Sequence, residues 1–499
     1  MVAKIQTTIF QGIDIAPIDV QVQAVNGLPG IQIVGLPDKA VTESRERVRS
    51  ALYSIGFTLP AKKITINLSP ADLQKEGSHF DLPITLALLA ALEVLDKTLI
   101  SDAIAVGELE LDGSIRSVLG ALPIAMYAFN NGKKMICPHD NAAEAHWIEG
   151  VKVCAAPTLT TLIQTLKGEK TILTPPSTLK PPIKSRLDFT EVKGQKLAKR
   201  ALEIAAAGGH NVLLNGPPGA GKSMLAERMV SILPPLSPQE SLEISSIHSI
   251  SGHLKQGQLL QERPFRNPHH SASKVALIGG GIKVRPGEIS LAHHGVLFMD
   301  EFPEYSRDTL ESLRQPIESG QAVIARANAH ITFPAKFQLI AAMNPCKCGY
   351  FNTPQAQCQP QRNCSQLYQQ RLSGPILDRI DLHLTVDRVT PHALSSLDSG
   401  ESSPVIAKRV ANSRLKQTER FQDLPYETNV RISNRYIEES GFLSEPAKAI
   451  LNQASEKYHL SARTYYRSIK VALTIADLAQ STAVKQDHMA EALMFRGIF

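Results

Sequence analysis

The sequence has no apolar run of the roughly 18 to 20 residues that a membrane-spanning helix requires, which excludes an α-helical membrane protein. Its amino terminus, MVAKIQTTIFQGIDIAP, alternates as a strand does. It lacks a long apolar segment followed by a small-residue cleavage site, so a signal peptide is excluded and a cytoplasmic location is expected. No fixed-period repeat runs along the chain, which removes solenoid and propeller architectures. Cysteine is scarce, six residues in all, and in a cytosolic chain these are not expected to form structural disulfides. Charge of one sign is also in short supply. The formal net charge of +6 permits a polyanionic partner but is spread too thinly to identify one. What is present is a globular composition, 43% hydrophobic and 20% charged, over 499 residues. That length is too great for a single core and suggests about three domains.

Two proline- and serine-rich stretches divide the chain. Residues 169–188 contain TILTPPSTLKPPIKSR, whose four prolines cannot continue a helix or an inner strand, and read as a linker. Residues 390–404, TPHALSSLDSGESSP within their span, read as a mobile surface connection. Before the first break, residues 1–168 alternate short strands (31–34, 64–68, 103–107) with a helix at 83–95, which predicts an α/β domain. From 189 to 389 the order becomes strand, glycine loop, helix, the way a parallel nucleotide-binding sheet is built. Residues 405–499 read as helices throughout (405–421, 445–457, 462–478) and form a helical lid.

The chemistry is concentrated in the middle segment. The apolar strand NVLL runs into Gly216, Pro217, Pro218, Gly219, Ala220, Gly221, Lys222 and Ser223, with Met224 opening the helix that follows. This is a phosphate loop. Its glycines allow backbone N–H groups to converge on phosphates, Lys222 supplies positive charge to the outer phosphates, and the Ser223 hydroxyl completes a Mg²⁺ shell. The strand GVLFMDE ends in Asp300 and Glu301, the first suited to holding Mg²⁺ through water and the second to polarising the attacking water. Without the upstream loop, the same pair would read equally well as ordinary surface acids. The strand QLIAAM delivers Asn344 to the sensor position, where an amide can hold the lytic water. Arg379, in SGPILDRIDL, stands between a short helix and a strand, suited to acting in trans on a neighbour's phosphate. The alternative is a salt bridge among Asp378, Arg379 and Asp381. In the lid, Arg463 is expected to reach the nucleotide of its own subunit, in preference to Arg467 one turn on.

Cys346, Cys348, Cys358 and Cys364 have the spacing C-x-C-x9-C-x5-C in a loop rich in Gly, Asn and Gln. Four thiolates in one loop meet the requirement of tetrahedral Zn²⁺, although C-x-C is tighter than the common knuckle and reduced, unligated cysteine stays open as the other reading. Cys137 and Cys154 sit among apolar residues and read as packing thiols.

Between the two nucleotide elements lie RPFRNPHHSASKVALIGGG and PGEISLAHHGVLFMDEFPE, and further on NPCKCGY, SGPILDRIDLHL and SARTYYRSIKVALTIADL. These strings resemble the magnesium-chelatase-like AAA+ family, specifically its bacterial ComM (YifB) branch, over essentially the whole chain. The resemblance implies ATP and Mg²⁺ as cofactors and a homo-hexameric ring. It also implies ATP-driven branch migration on single-stranded, duplex or branched DNA during natural transformation and homologous recombination, with recombination proteins as candidate partners. The family's pore elements map onto residues 267–274, including Lys274, and onto a hairpin, QAVIARANAHITFP, with Arg326 and His330 near its tip. Cationic tips would bind phosphates without reading bases. An edge hairpin protected by charge is the plainer alternative for Arg326.

Residues 1–168 resemble the Lon-protease-type fold, related to ribosomal S5 domain 2, through VGELELDGSIRSVLGALPIAMYAFNNGKKMICP. The protease's serine position falls on His79 and its lysine position on Pro123, so the catalytic dyad is missing and a binding or assembly platform is expected. Two rivals accompany the DNA-motor reading. One is a metal-chelatase motor subunit, disfavoured by the fused domain, the cysteine insert and the lack of an integrin-type metal-binding segment. The other is an ATP-dependent regulatory scaffold.

Overall fold

The computed structural model describes residues 2–171, 187–254, 257–281, 284–326, 329–349, 351, 364–389 and 400–496. It divides into two compact units that do not follow chain order: Met1–Pro181, Pro238–Leu260 and Ala327–Thr332 form the first, and the remainder forms the second. The segment Pro238–Leu260, expected inside the ATPase core, therefore belongs with the amino-terminal unit. Most of the 169–188 and 390–404 connections lies outside the described residues. No helix among the described residues is long and apolar enough to cross a membrane.

The first unit is built on a seven-stranded mixed sheet. Its strands are β1 (Val2–Gln11), β2 (Asp14–Val25), β3 (Gly30–Val34), β4 (Lys63–Ser69), β5 (Ala103–Ala105), β6 (Lys134–Pro138) and β7 (Val153–Ala156), in the order β3-β4-β2-β1-β5-β6-β7. Alternation sets the faces: Ile18, Val20 and Val22 of β2 are buried, whereas the alternate residues Asp19, Gln21 and Gln23 are not. The helix Asp81–Ala91, DLPITLALLAA, is apolar on every side, and all of its residues are buried. Its one carboxylate, Asp81, is held by Arg47 through Nε at 2.7 Å and Nη2 at 3.0 Å. The segment Pro238–Ile250 is a helix that joins this unit through Ser249, whose carbonyl accepts from Gly120 N at 3.3 Å and whose hydroxyl donates to buried Glu144. Close by, Trp147 Nε1 donates to Gly257 O at 2.6 Å.

No serine–lysine dyad forms among the described residues of this unit. His79 Nε2 meets Thr8 O at 2.8 Å, Ser78 Oγ donates to Glu108 Oε2 at 2.6 Å, and Pro123 is buried in the helix Ala121–Asn130. Lys75 is fully buried, but its ammonium donates to the carbonyls of Pro70 and Leu73.

The second unit holds a five-stranded sheet of β8 (Val212–Asn215), β9 (Phe265–Arg266), β10 (Val296–Met299), β11 (Gln338–Met343) and β12 (Leu382–Thr385), in the order β9-β10-β11-β8-β12, with every pairing parallel. The central strands VLLN, VLFM and QLIAAM are continuous apolar runs because both faces of a parallel sheet are covered. On one side the helix Lys196–Gly208 carries Ala201, Leu202 and Ala205 into a core shared with Val410, Leu451 and Ile475 of the carboxy-terminal helices. The expected lid is therefore helical (Ser403–Arg420, Asn434–Ser440, Glu445–Tyr458, Ala462–Leu478, Gln486–Met494) but belongs to the same compact unit as the sheet. The helix after the phosphate loop, expected at 224–233, is Lys222–Arg228 followed by a tighter 3₁₀ turn, Met229–Ile232. It stops because Leu233, which precedes a proline, is pushed to extended backbone.

Candidate nucleotide site

Parallel strands leave their carboxyl ends on one side, and β8, β10 and β11 deliver three polar elements there. Gly216 follows β8 directly, with its N–H donating to Met343 O at 3.1 Å. A Cβ at this glycine would come within 2.1 Å of Val386 O, so no larger residue fits without displacing the backbone. Lys222 is 8% exposed, and its ammonium donates to Gly216 O at 2.6 Å, Pro217 O at 3.1 Å and Asn344 Oδ1 at 3.1 Å. Burial lowers its pKa, an effect opposed by the nearby Asp300 carboxylate. The loop thus folds around its own lysine, and a triphosphate would replace these carbonyls as the ammonium's partner.

Ser223 Oγ donates to Asp300 Oδ2 at 3.0 Å, joining the two side chains expected to share a magnesium ion. A hydroxyl and a carboxylate are hard oxygen donors of the kind Mg²⁺ takes alongside phosphate oxygens. Glu301 has left-handed backbone, φ 50°, and its N–H donates to Asp300 Oδ1 at 2.9 Å. That turn separates the two carboxylates, leaving Glu301 half exposed beside the loop.

Two side chains enlarge the site beyond the sequence expectation. His270 Nδ1 lies 3.0 Å from Glu301 Oε2. It comes from residues 267–274, the segment mapped above onto a pore element, which turns one histidine toward Glu301 and leaves Lys274 exposed at the start of the helix Lys274–Ile278. Arg388 Nε donates to Pro218 O at 2.9 Å and adds positive potential near Lys222. Neither follows a periodicity or motif spacing, although the paired histidines of NPHH mark the first.

The arginines lie at the other end of the sheet. Arg379 Nε donates to Arg314 O at 3.1 Å and Nη1 to Pro375 O at 2.7 Å, while Nη2 pairs with Glu318 Oε1 at 3.0 Å. Asp381, expected as a possible partner of Arg379, is instead paired with Arg467 at 2.5 Å and accepts from Asn211 N at 3.0 Å. Arg463 pairs with Glu318 at 2.9 Å and lines the same cavity as Gly209 and Asn211, at the amino end of β8. From Asn211 to Gly216 is roughly five residues of extended chain, about 16 Å. The expected reach of Arg463 to its own subunit's nucleotide is therefore not what the fold provides: packing of Ala462–Leu478 beside Asp381 holds it at the opposite edge from Lys222.

The cysteine loop follows Asn344. Cys346 Sγ and Cys348 Sγ are 3.0 Å apart, and with Cys364 Sγ all three lie within 4.8 Å of one another. Sulfurs around a tetrahedral zinc stand about 3.8 Å apart, so the three thiols are gathered at about the right spacing, with Cys346 and Cys348 needing to part to take such an ion. Cys358 lies outside the described residues. The loop abuts the nucleotide site at Gly349, where a Cβ would meet Pro218 Cδ at 2.6 Å. Cys137 is buried, its thiol pKa raised by desolvation, as expected of a packing thiol. Arg326 closes the first strand of the hairpin Gln321–Arg326 and Ala329–Pro334, and His330 is exposed on the second. The turn between the strands lies outside the described residues.

Residues 188–394 match the family described as magnesium chelatase, subunit ChlI; residues 20–141 match subunit ChlI of Mg-chelatase, and residues 400–496 match its ChlI C-terminal family. The chain is 44% identical over 497 residues to the uncharacterized protein YifB of Salmonella typhimurium, covering 99% of this chain and 97% of that one. It is 42% identical over 493 residues to the competence protein ComM of Haemophilus influenzae, covering 98% and 96%. Likeness to the magnesium-chelatase 67 kDa subunit of Chlorobaculum tepidum is confined to 161 residues at 27% identity, 32% of this chain and 23% of that one. With the phosphate loop, the paired carboxylates and the sensor amide assembled at one sheet edge, the chain belongs to the magnesium-chelatase-like AAA+ ATPase family, in the branch of YifB and ComM.

Proposed function

We propose that this protein is an ATP-driven DNA motor working as a ring of six copies, and that it moves branched DNA during integration of incoming strands. The observation that carries this reading is the separation of Lys222, Ser223, Asp300, Glu301 and Asn344 from Arg379 and Arg463 by the length of the sheet. A complete hydrolytic site then requires two chains, one presenting its phosphate loop to the arginine edge of the next. Lys222 holds the charge of the outer phosphates, and Ser223 with Asp300 would hold Mg²⁺, which neutralises the oxygens of the transferring phosphoryl group. Glu301, oriented by His270, accepts a proton from the attacking water, and Asn344 fixes that water's position. Arg379 and Arg463 of the adjacent copy stabilise charge on the departing phosphates. The Haemophilus relative is named a competence protein, which supports the reading that the DNA is an incoming strand.

The test is ATP turnover measured with single strands, duplexes and four-way junctions. Stimulation greatest with junctions supports the motor; turnover indifferent to every DNA removes it and leaves a chelatase-type or scaffold role. Arg326→Ala is expected to weaken DNA binding about tenfold and to lower the salt dependence of affinity by about one phosphate contact per engaged chain. Titration at several salt concentrations checks this, and an unaltered slope would take the hairpin out of the DNA path.

The cysteine loop is proposed to hold structural zinc through Cys346, Cys348, Cys364 and Cys358. Elemental analysis of purified protein is expected to find zinc bound to each chain and Cys364→Ser to lose most of it. Because the loop abuts Pro218, that variant should also weaken ATP binding; metal-free wild type with ordinary ATP affinity would refute the coupling.

A further inference from the structure

Arg379 and Arg463 converge on a single atom. Glu318 Oε1 lies 3.0 Å from Arg379 Nη2 and 2.9 Å from Arg463 Nη2, an ion pair with each. The cavity beside it, about 370 Å³, is lined by Arg431, Arg463, Arg467 and Lys470, with Glu318 as the carboxylate facing them. Asp381 stands behind this wall, but its charge is taken up by Arg467. Arg431 Nη1 donates to the backbone carbonyl of Glu318 at 2.8 Å, which fixes the main chain and leaves the carboxylate to the other two arginines. Crowding by cations is evident at Lys470, whose pKa is pushed down to about 8 by burial first and by Arg467 next. Glu318 also sits in the last turn of the helix Arg314–Ser319, the end at which a helix disfavours an acid. Its stabilisation there comes from the guanidinium groups.

We infer that Glu318 is a placeholder anion: in the single chain its carboxylate occupies the position that a phosphate of the neighbouring copy's nucleotide takes in the ring. This rests on the two-chain site proposed above and adds a competition to it. Glu318 and Arg463 are about two-fifths exposed, so the carboxylate can swing away into water, whereas Arg379 is held by two backbone carbonyls and stays in place. A terminal phosphate brings more negative charge and three acceptor oxygens, and can satisfy both guanidiniums where the carboxylate offers one shared oxygen. Without a phosphate from a neighbour, the edge is neutralised internally. Assembly without ATP thus gains little, which makes ring formation nucleotide-dependent.

Two measurements test this. In a Lys222→Ala background, which disables the phosphate loop, Glu318→Gln is expected to raise affinity for inorganic phosphate about tenfold by calorimetry, as two partly exposed ion pairs no longer compete. Glu318→Asp, which keeps the charge, should stay nearer the parent. In the otherwise wild-type chain, Glu318→Gln is expected to lower, about tenfold, the protein concentration at which ATP turnover per chain is half maximal. Glu318→Ala gives the same two readings if the glutamine variant folds poorly. Unchanged phosphate affinity together with an unchanged midpoint overturns the placeholder role. If wild-type turnover per chain does not depend on protein concentration at all, the two-chain site itself fails, and a phosphate-binding change then has no bearing on assembly.

Discussion

Arg379→Ala is expected to cut ATP turnover by about 10³- to 10⁵-fold, the range for losing a trans-acting arginine in phosphoryl transfer. ATP binding to the single chain should survive, because Arg379 lies at the amino end of the sheet and touches no element of the phosphate loop. Mixing gives the decisive measurement. A chain with Arg379→Ala keeps a sound phosphate loop, and a chain with Lys222→Ala keeps a sound arginine edge. Neither alone should turn over, yet an equimolar mixture should regain activity at interfaces that pair the two intact halves. Loss in each variant with no recovery on mixing would argue that Arg379 serves only its own chain, and undiminished turnover in Arg379→Ala would remove it from the chemistry.

Glu301→Gln is expected to lower turnover by about 10²- to 10⁴-fold, the usual contribution of a positioned general base. Binding should persist, since the amide keeps the shape of the side chain and the Mg²⁺-holding pair, Ser223 and Asp300, is untouched. The variant should therefore trap ATP in assembled rings, seen as nucleotide retained through gel filtration. Turnover near wild type would show that another group activates the water.

How much of this could be read from residues alone follows the range of the interactions involved. The phosphate loop was legible because strand, glycine loop and helix are adjacent in sequence, and Asp300, Glu301 and Asn344 because each ends a buried apolar strand of the same sheet. The placement of Arg463 was not. It depends on where Ala462–Leu478 docks, which is decided by Arg467 meeting Asp381 and by Thr474 meeting His210, contacts made across 86 and 264 positions of sequence. The role of His270 was hidden for the same reason, being set by a turn that aims it across the site. The helix Pro238–Ile250 was hidden too, since its sequence carries almost no helical periodicity and nothing local says which core receives it; the buried Glu144 carboxylate, which accepts from the Ser249 hydroxyl, decides that.

The threading of the first unit carries a practical consequence. Because the chain leaves it and returns twice, at Pro238–Leu260 and at Ala327–Thr332, a fragment ending at the proline-rich connection would lack pieces of its own interior. Glu144 would lose both its hydroxyl donor and the cover of Gly257, and Trp147 would lose its carbonyl acceptor. Such a truncation should be recovered as an aggregate. A protease that nicks the connection in the intact protein should release nothing, since the two parts would still be sewn together by the later passes of the chain.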